Sequence, residues 1–558
     1  MIGSISKAAT SAAVIFAPMF VFAQTPLPLK HSPKPTTAAI TAADAMTRLY
    51  IFADDSMMGR RAGDEGGLKG TAYIEREVRR LRLEPAGDNG TFFQAVPLVT
   101  RTVDTNSRLT ADTESLVMGT DYFPTDLNGI PRSIDGVQVI YAGNPADSTV
   151  SARPQQVNGK IALVVGGGAA VAARRRYPGA VAFMTVLDPA MMPRLRAFGF
   201  GGRTRLQAPE DTVVSRLTLA LDPSAIPKVL GVPLANARPG TIGRTLHGGV
   251  KSALTVAPAR NVVAIIRGSD PKLYREFVAL GAHNDHLGIR RAGPLDHDSL
   301  KAYNEAAERI HVARTHEGTQ FPGAGLSAEE RASIHVNADS LHRLRPARPD
   351  SIYNGADDDG SGSVGLLEVA EKFALTNPKP KRSLIFVWHT GEELGLYGSQ
   401  WFTDHPTIPR DSIVAQLNMD MIGRGEANDI PGGGTHYVEL IGSRRLSTEL
   451  GDIVEAVNKN GRHNLRFDYA FDANGHPENI YCRSDHYEYA RYGIPITFFT
   501  TGGHSDYHQL TDEPQYINYP HLASVAAFVA DIANTVANLD HRVVVDKAKP
   551  NPLARCQQ

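Results

Sequence analysis

Cysteine is nearly absent: Cys482 and Cys556 are the only two in 558 residues. That excludes a disulfide framework and a thiolate zinc cluster, so any metal here must rest on His, Asp and Glu. Net charge is nearly absent too. Lys+Arg 58 against Asp+Glu 59 leaves -1, which gives no electrostatic footprint for nucleic acid. The longest basic run, Arg174-Arg175-Arg176, is too short to alter that. Beyond the N-terminus, no segment is long and apolar enough to cross a membrane. What the chain does have is 42% hydrophobic residues, enough for sizeable cores, so a wholly disordered or fibrous protein is excluded. Its length leaves room for two to four domains.

The N-terminus reads as a processed leader. Lys7 supplies a positive start, Ala12 to Phe22 an apolar stretch, and Val21-Phe22-Ala23 a small-residue cleavage site. Residues 1–23 are therefore expected to be a secretory signal peptide, giving an exported protein, periplasmic or secreted. No Cys follows the cleavage site, so no lipid anchor is expected. Residues 24–40 (QTPLPLKHSPKPTTAAI) form a Pro/Thr-rich linker.

Three textures follow. Residues 41–115 open the main domain. Ile74, Val78 and Leu81 share one helix face there, and Pro85 is expected to end that helix. Residues 116–258 change to short β-rich runs such as VQVIYAG and GKIALVVGGG, read as a separate, mostly β module. Gly166-Gly167-Gly168 lacks the Gly-Lys-Ser/Thr ending of a phosphate loop and reads as a strand-end turn. Residues 259–545 resume the main domain. NVVAIIRG, FVALGA, SLIFVWH, IVAQLNMD and IPITFFTT are buried strands separated by helices. The best of those helices carries Leu366, Val369, Ala370 and Phe373 on one side. The pattern predicts an α/β fold: a mixed, largely parallel sheet with helices on both faces. Residues 290–349 interrupt it as a polar insertion with helical patches, where Ser327 and Glu330 make a capping box. Residues 546–558 are a polar tail. Cys482 is expected to be a lone thiol, since its only possible partner lies in that tail.

The polar residues gather where the strands stop. FVALGA runs into His283-Asn284-Asp285-His286. SLIFVWH runs into Thr390-Gly391-Glu392-Glu393. IVAQLNM runs into Asp420, and IPITFFTT runs into a loop ending in Tyr507-His508. Gly355 to Gly362, holding Asp357-Asp358-Asp359, precedes the best helix. In an open α/β sheet, ligands bind at the carboxyl ends of the strands. Three or more carboxylates converging there without a cation would repel one another and be forced to protonate. His and carboxylate without thiolate suits catalytic zinc, and a pair of zinc ions can hold both the attacking and the leaving oxygen.

These motifs resemble peptidase family M28, the co-catalytic zinc aminopeptidases. AHNDH (Ala282–His286), NGADDDGSG (Asn354–Gly362), HTGEELGLYGS (His389–Ser399), NMDMIG (Asn418–Gly423) and SDHYEYARYGIP (Ser484–Pro495) carry the resemblance, with Tyr507-His508. DSMMGRRAGDEGG (Asp55–Gly67), LEPAGDNGTFFQAVPL (Leu83–Leu98) and VNGKIALVV (Val157–Val165) are similar to the bacterial branch with an inserted protease-associated (PA) domain. The resemblance implies a zinc-exopeptidase-like fold with two zinc ions per chain. Asp358 would bridge them. His283 and Asp420 would complete one, Glu393 and His508 the other. Asp285 would accept a hydrogen bond from the His283 ring, and Glu392 would be the general base. The Asp358–Asp359 peptide would be cis. His504 rivals His508 as the last ligand, His286 and His389 sit at the rim, and His311, His316, His335 and His342 read as surface residues of the insertion. The implied substrates are peptides with a free N-terminus. A carboxypeptidase or another amide hydrolase would use the same ligands. A single-zinc cyclase of the glutaminyl type and a non-catalytic binding module are the other readings, and a full ligand set with its base counts against both.

Overall fold

The computed structural model describes residues 27–125, 129–166, 168–188, 202–315, 326–424, 436–461 and 463–558. The expected signal peptide and His316 lie outside the described residues.

Among the described residues the main sheet has ten strands. Its principal members are β1 (Phe93–Val103), β2 (Ser252–Ile266), β3 (Phe277–His283), β4 (Ser383–His389), β5 (Ile413–Met419), β6 (Tyr437–Ile441), β7 (Arg466–Asp468) and β8 (Ile496–Thr500). Their order is β1-β2-β4-β3-β5-β8-β6-β7, with Arg203–Leu206 beyond β1. The centre, β4-β3-β5-β8, is parallel. The flanks are mixed, with β1, β2 and β4 antiparallel in turn and β8 antiparallel to β6.

Every residue of β3, β4 and β5 is buried. Alternate side chains enter different cores, as a period of two requires. Val278, Leu280 and Ala282 join a core with α1 (Ala42–Phe52), α3 (Gly362–Leu375) and α4 (Tyr519–Ala537). Phe277 and Ala279 join another with Phe402, Tyr489 and Ala490. The predicted face Leu366, Val369, Ala370 and Phe373 of α3 is buried in the first core. Complete burial of Leu280, Phe386 and Leu417 contributes roughly 1.5–3 kcal/mol each.

The second helix, α2 (Glu65–Arg80), buries Ile74 and Val78 as predicted, but it starts earlier and stops before Pro85. Pro85 instead pairs with Ala264 at the sheet edge. The long β1–β2 ribbon pairs from Phe93↔Val262 to Val103↔Ser252 and leads out to an eight-stranded sheet between Leu109 and Gly248, with apolar clusters of its own. The polar insertion folds as helices His297–Thr315, Ala328–Ser333 and Ala338–Leu344, and the Ser327/Glu330 capping box forms.

Cys482 is not a lone thiol. It is joined to Cys556, with Cα atoms 5.8 Å apart and a sequence separation of 74. The tail returns to the fold. Gln558 accepts the Tyr481 N–H at 3.0 Å and donates to the Ala473 carbonyl at 3.0 Å. A polar composition suggested a solvated tail, and these side-chain-to-backbone bonds are what seat it.

Candidate metal centre

Parallel pairing sets the rim. His283 and His389, the last residues of β3 and β4, are register partners, so the loops after both strands start at one level. The loops after β5 and β8 open on the same side. Gly355 begins the fifth segment in the left-handed region (φ +56), and a Cβ there would stand 2.5 Å from the His286 ring. Only glycine lets that loop lie so close. The Asp358–Asp359 peptide is cis, as the resemblance implied.

The five implied ligands converge around Asp358. Its Oδ1 lies 3.2 Å from His283 Nε2, and its Oδ2 lies 3.1 Å from His508 Nε2. His283 Nε2 is 3.5 Å from Asp420 Oδ1, and His508 Nε2 is 2.9 Å from Glu393 Oε2. One carboxylate thus faces two histidines with its two oxygens, and each histidine has a second carboxylate of its own. Glu392 stands beside them, its Oε2 3.9 Å from His283 Nε2. His508 itself adopts φ +57, an uncommon conformation for a non-glycine residue, of the sort that clusters at functional sites.

An outer set holds these groups. Asp359 accepts the backbone N–H of His283 at 2.9 Å. Asp512 accepts the N–H groups of Asp357 and Asp358. Ser484 Oγ donates to Asp420 Oδ2 at 2.6 Å. Asp285 departs from expectation. The His283 Nδ1 neighbour is the Asp285 backbone carbonyl at 3.1 Å, while the carboxylate lies 3.8 Å away and accepts the Glu392 N–H instead. The backbone oxygen reaches the ring first because only one residue separates the two.

Burial pushes Asp420 up and Glu392 well above the carboxylate range, with neighbouring carboxylates adding to the effect on both. Asp285 is pushed to about 7, chiefly by burial. Burial also pushes Asp358 up, but the two imidazoles on it outweigh that and hold it low. So many buried carboxylates call for positive charge. Asp358 Oδ2 and Glu393 Oε1 are buried without a hydrogen bond, although imidazole nitrogens stand 3.1 and 2.7 Å from them. Close approach without hydrogen-bond geometry is how ligands of a shared cation sit, and the donor set of imidazole and carboxylate suits zinc.

His286 is closer than a rim position suggested. Its Nδ1 is 2.7 Å from Glu393 Oε1 and 3.8 Å from Asp358 Oδ2, and His286, Asp358 and Glu393 together offer a metal-holding triangle. His508 touches the same two carboxylates at 2.9 and 3.1 Å. His504 is set back, its Nε2 3.1 Å from Asp357 Oδ2. His389 contacts Tyr489 through Nε2 at 3.0 Å and Asp485 through Nδ1 at 3.4 Å. His335 and His342 are exposed. Sequence reasoning missed Asp512 and Ser484, although both stand in motif segments: DYHQLTDEP and SDHYEYARYGIP.

A cavity opens beside Asp358, Glu392 and Asp420. Met421, Phe471, Ile480 and Phe498 give it apolar walls, and Arg483 lines it too. Arg424 is committed elsewhere, 2.7 Å from Asp506.

Residues 261–533 match the family described as Peptidase family M28. Leucine aminopeptidase 1 of Aspergillus oryzae is 28% identical over 197 residues, covering 33% of this chain and 47% of that protein. A vacuolar membrane protease of Candida dubliniensis is 30% identical over 282 residues, covering 46% of this chain and 27% of its own length. The chain thus spans less than half of either relative. Among solved structures, an aminopeptidase from Aneurinibacillus sp. strain AM-1 shares the fold at TM-score 0.50 and 16% identity, covering 92% of this chain and 97% of that one.

Proposed function

Starting from the match of residues 261–533 to peptidase family M28, we propose that the chain is an exported aminopeptidase working with two zinc ions. The observation that carries this reading is Asp358, whose two oxygens face His283 and His508 separately. His283, Asp358 and Asp420 would hold one ion, and Asp358, Glu393 and His508 the other. When bound, zinc supplies Lewis acidity, polarising the scissile carbonyl and making water acidic near neutral pH.

The residues do the rest. Glu392 takes a proton from the attacking water and returns it to the leaving amine. Its backbone N–H is fixed on Asp285, so its side chain starts from a set position. Adjacent Glu393 points to His286 and His508, which is how neighbouring glutamates divide the work. The carboxylates at the rim suit a cationic α-amine. The apolar walls Met421, Phe471, Ile480 and Phe498 suit an apolar first side chain. Residues 116–258 are proposed to be a PA-like insertion, and 259–545 with 41–115 the catalytic domain. Export is supported by the leader-like residues 1–23 and by the Cys482–Cys556 disulfide, which persists in oxidising compartments. No described helix is long and apolar enough to cross a membrane.

One observation favours a second reading. Arg483 lines the cavity, 3.2 Å from Glu478 and 3.4 Å from the Tyr507 hydroxyl, where a carboxypeptidase would need a carboxylate anchor. Comparing one peptide as free, N-acetylated and C-amidated forms separates the two. Acetylation abolishing cleavage while amidation leaves it nearly unchanged is the expected result. A block by amidation instead would establish the carboxypeptidase.

A further inference from the structure

The motif Asp55–Gly67 lies far ahead of the metal-site motifs in sequence and has no part in the chemistry above. Its centre is nonetheless built into the site. Arg60 is completely buried and adopts φ +48. Its Nη1 donates to the carbonyls of Phe52 (3.0 Å) and Asn354 (2.5 Å), its Nη2 to Gly355 (2.7 Å), and its Nε to Asn284 (3.3 Å). Its own carbonyl accepts the His286 N–H at 3.3 Å. The guanidinium also stands 4.4 Å over the Phe52 ring. Among the described residues it makes no ion pair with a carboxylate.

These partners are not scattered. Asn284 lies between His283 and Asp285. Asn354 and Gly355 open the loop that delivers Asp358. One rigid, planar fork therefore ties together the two loops that bring His283 and the shared carboxylate. Gly59 seats the same turn. A Cβ there would come within 2.3 Å of the Gly288 carbonyl and 2.7 Å of the Tyr353 carbonyl, one on each loop's continuation. We propose that Arg60 is a positioning residue that holds the His283–His286 loop and the Asn354–Asp358 loop at the separation a shared metal site needs. The proposal rests on the zinc reading above.

Charge and bracing predict opposite outcomes, which makes the proposal testable. Arg60 is a cation behind a cation site, among the fields of Asp512, Asp359, Asp285 and Asp358. If charge were its main effect, removing it would tighten zinc. If bracing is its main effect, removing it loosens zinc. Outer residues that orient ligands cost 10–100-fold in metal affinity when lost, so Arg60→Met should weaken zinc by about tenfold or more.

The experiment uses the full chain and measures zinc retention against a chelator of known affinity, with thermal unfolding to establish the folded fraction and reporter hydrolysis for kcat and KM. Arg60→Met is expected to release zinc to the chelator about tenfold more readily and to lose kcat more than KM. Excess zinc should partly restore it. Arg60→Lys, which keeps the charge and some of the donors, should fall between. Gly59→Ala, which moves the same turn and keeps the arginine, should also weaken zinc. A merely structural role would lower the unfolding temperature and leave the folded protein's zinc affinity unchanged. Folded Arg60→Met that holds zinc as tightly as wild type, or tighter, overturns the proposal. Should Arg60→Met not fold, Arg60→Lys and Gly59→Ala decide by the same criterion. A wild-type chain that binds no zinc defeats the metal reading itself, and this proposal with it, before any variant is compared.

Discussion

Breaking the Cys482–Cys556 bond should both destabilise the main domain and loosen the wall of its cavity. The bond closes a loop with a sequence separation of 74. Loop-closure entropy for that length gives about 4 kcal/mol of stabilisation through the unfolded state. At about 2 °C per kcal/mol for a large domain, Cys556→Ser should lower the unfolding midpoint by roughly 8 °C. Cys482→Ser and the double variant should lose the same amount, because either single change removes the whole link. The second consequence is local. Gln558 bonds to Ala473 and Tyr481, and the segment between them carries Ile480 towards the cavity. Untying Cys556 should raise KM for reporters with a bulky apolar first residue more than for alanyl reporters. The assay is thermal unfolding with and without reductant, followed by the two reporters. Wild type in reductant should match Cys556→Ser. Free thiols in the oxidised wild type, or an unfolding midpoint that reductant does not move, would refute the reasoning.

Glu392→Gln should keep its zinc and its fold and lose turnover by about a hundredfold or more, since the amide cannot take a proton; rates like wild type would move the base elsewhere. His508→Ala should weaken the metal proposed to be shared with Glu393 more than His504→Ala does, because His508 meets Glu393 and Asp358 while His504 meets Asp357. Metal analysis of both variants checks the order, and the reverse order would reassign the ligand. His286→Ala belongs in the same series, and its effect should lie between the two, since His286 touches Glu393 from the other side.

Much of the candidate centre's geometry was legible because its side chains sit at the ends of strands whose apolar runs mark them. FVALGA, SLIFVWH and IVAQLNM are unbroken enough to be recognised as doubly covered strands, and each hands over to a carboxylate or imidazole within a few residues. Parallel order then makes the ends coincide without further information. What was not legible depends on where backbone atoms come to rest. Asp285 looked like a partner for the His283 ring, yet the nearer acceptor is its carbonyl. Asp512 binds two backbone N–H groups of the Asp357–Asp358 loop, a contact across more than 150 positions that leaves no periodic trace. Pro85 looked like a helix stop and serves an edge strand. The disulfide was missed for a different reason: a polar tail carries no hydrophobic pattern to show that it returns.

The claim on which the rest depends is that Asp358 serves two ions at once. Metal analysis of the purified chain, repeated on Asp358→Ala, tests it most directly. Two zinc-class ions per wild-type chain are expected, with both lost or severely weakened in the variant, because His283 with Asp420 and His508 with Glu393 each lose their common partner. A wild-type chain fully active with a single tightly held ion, or an Asp358→Ala chain that still binds two, would contradict the account.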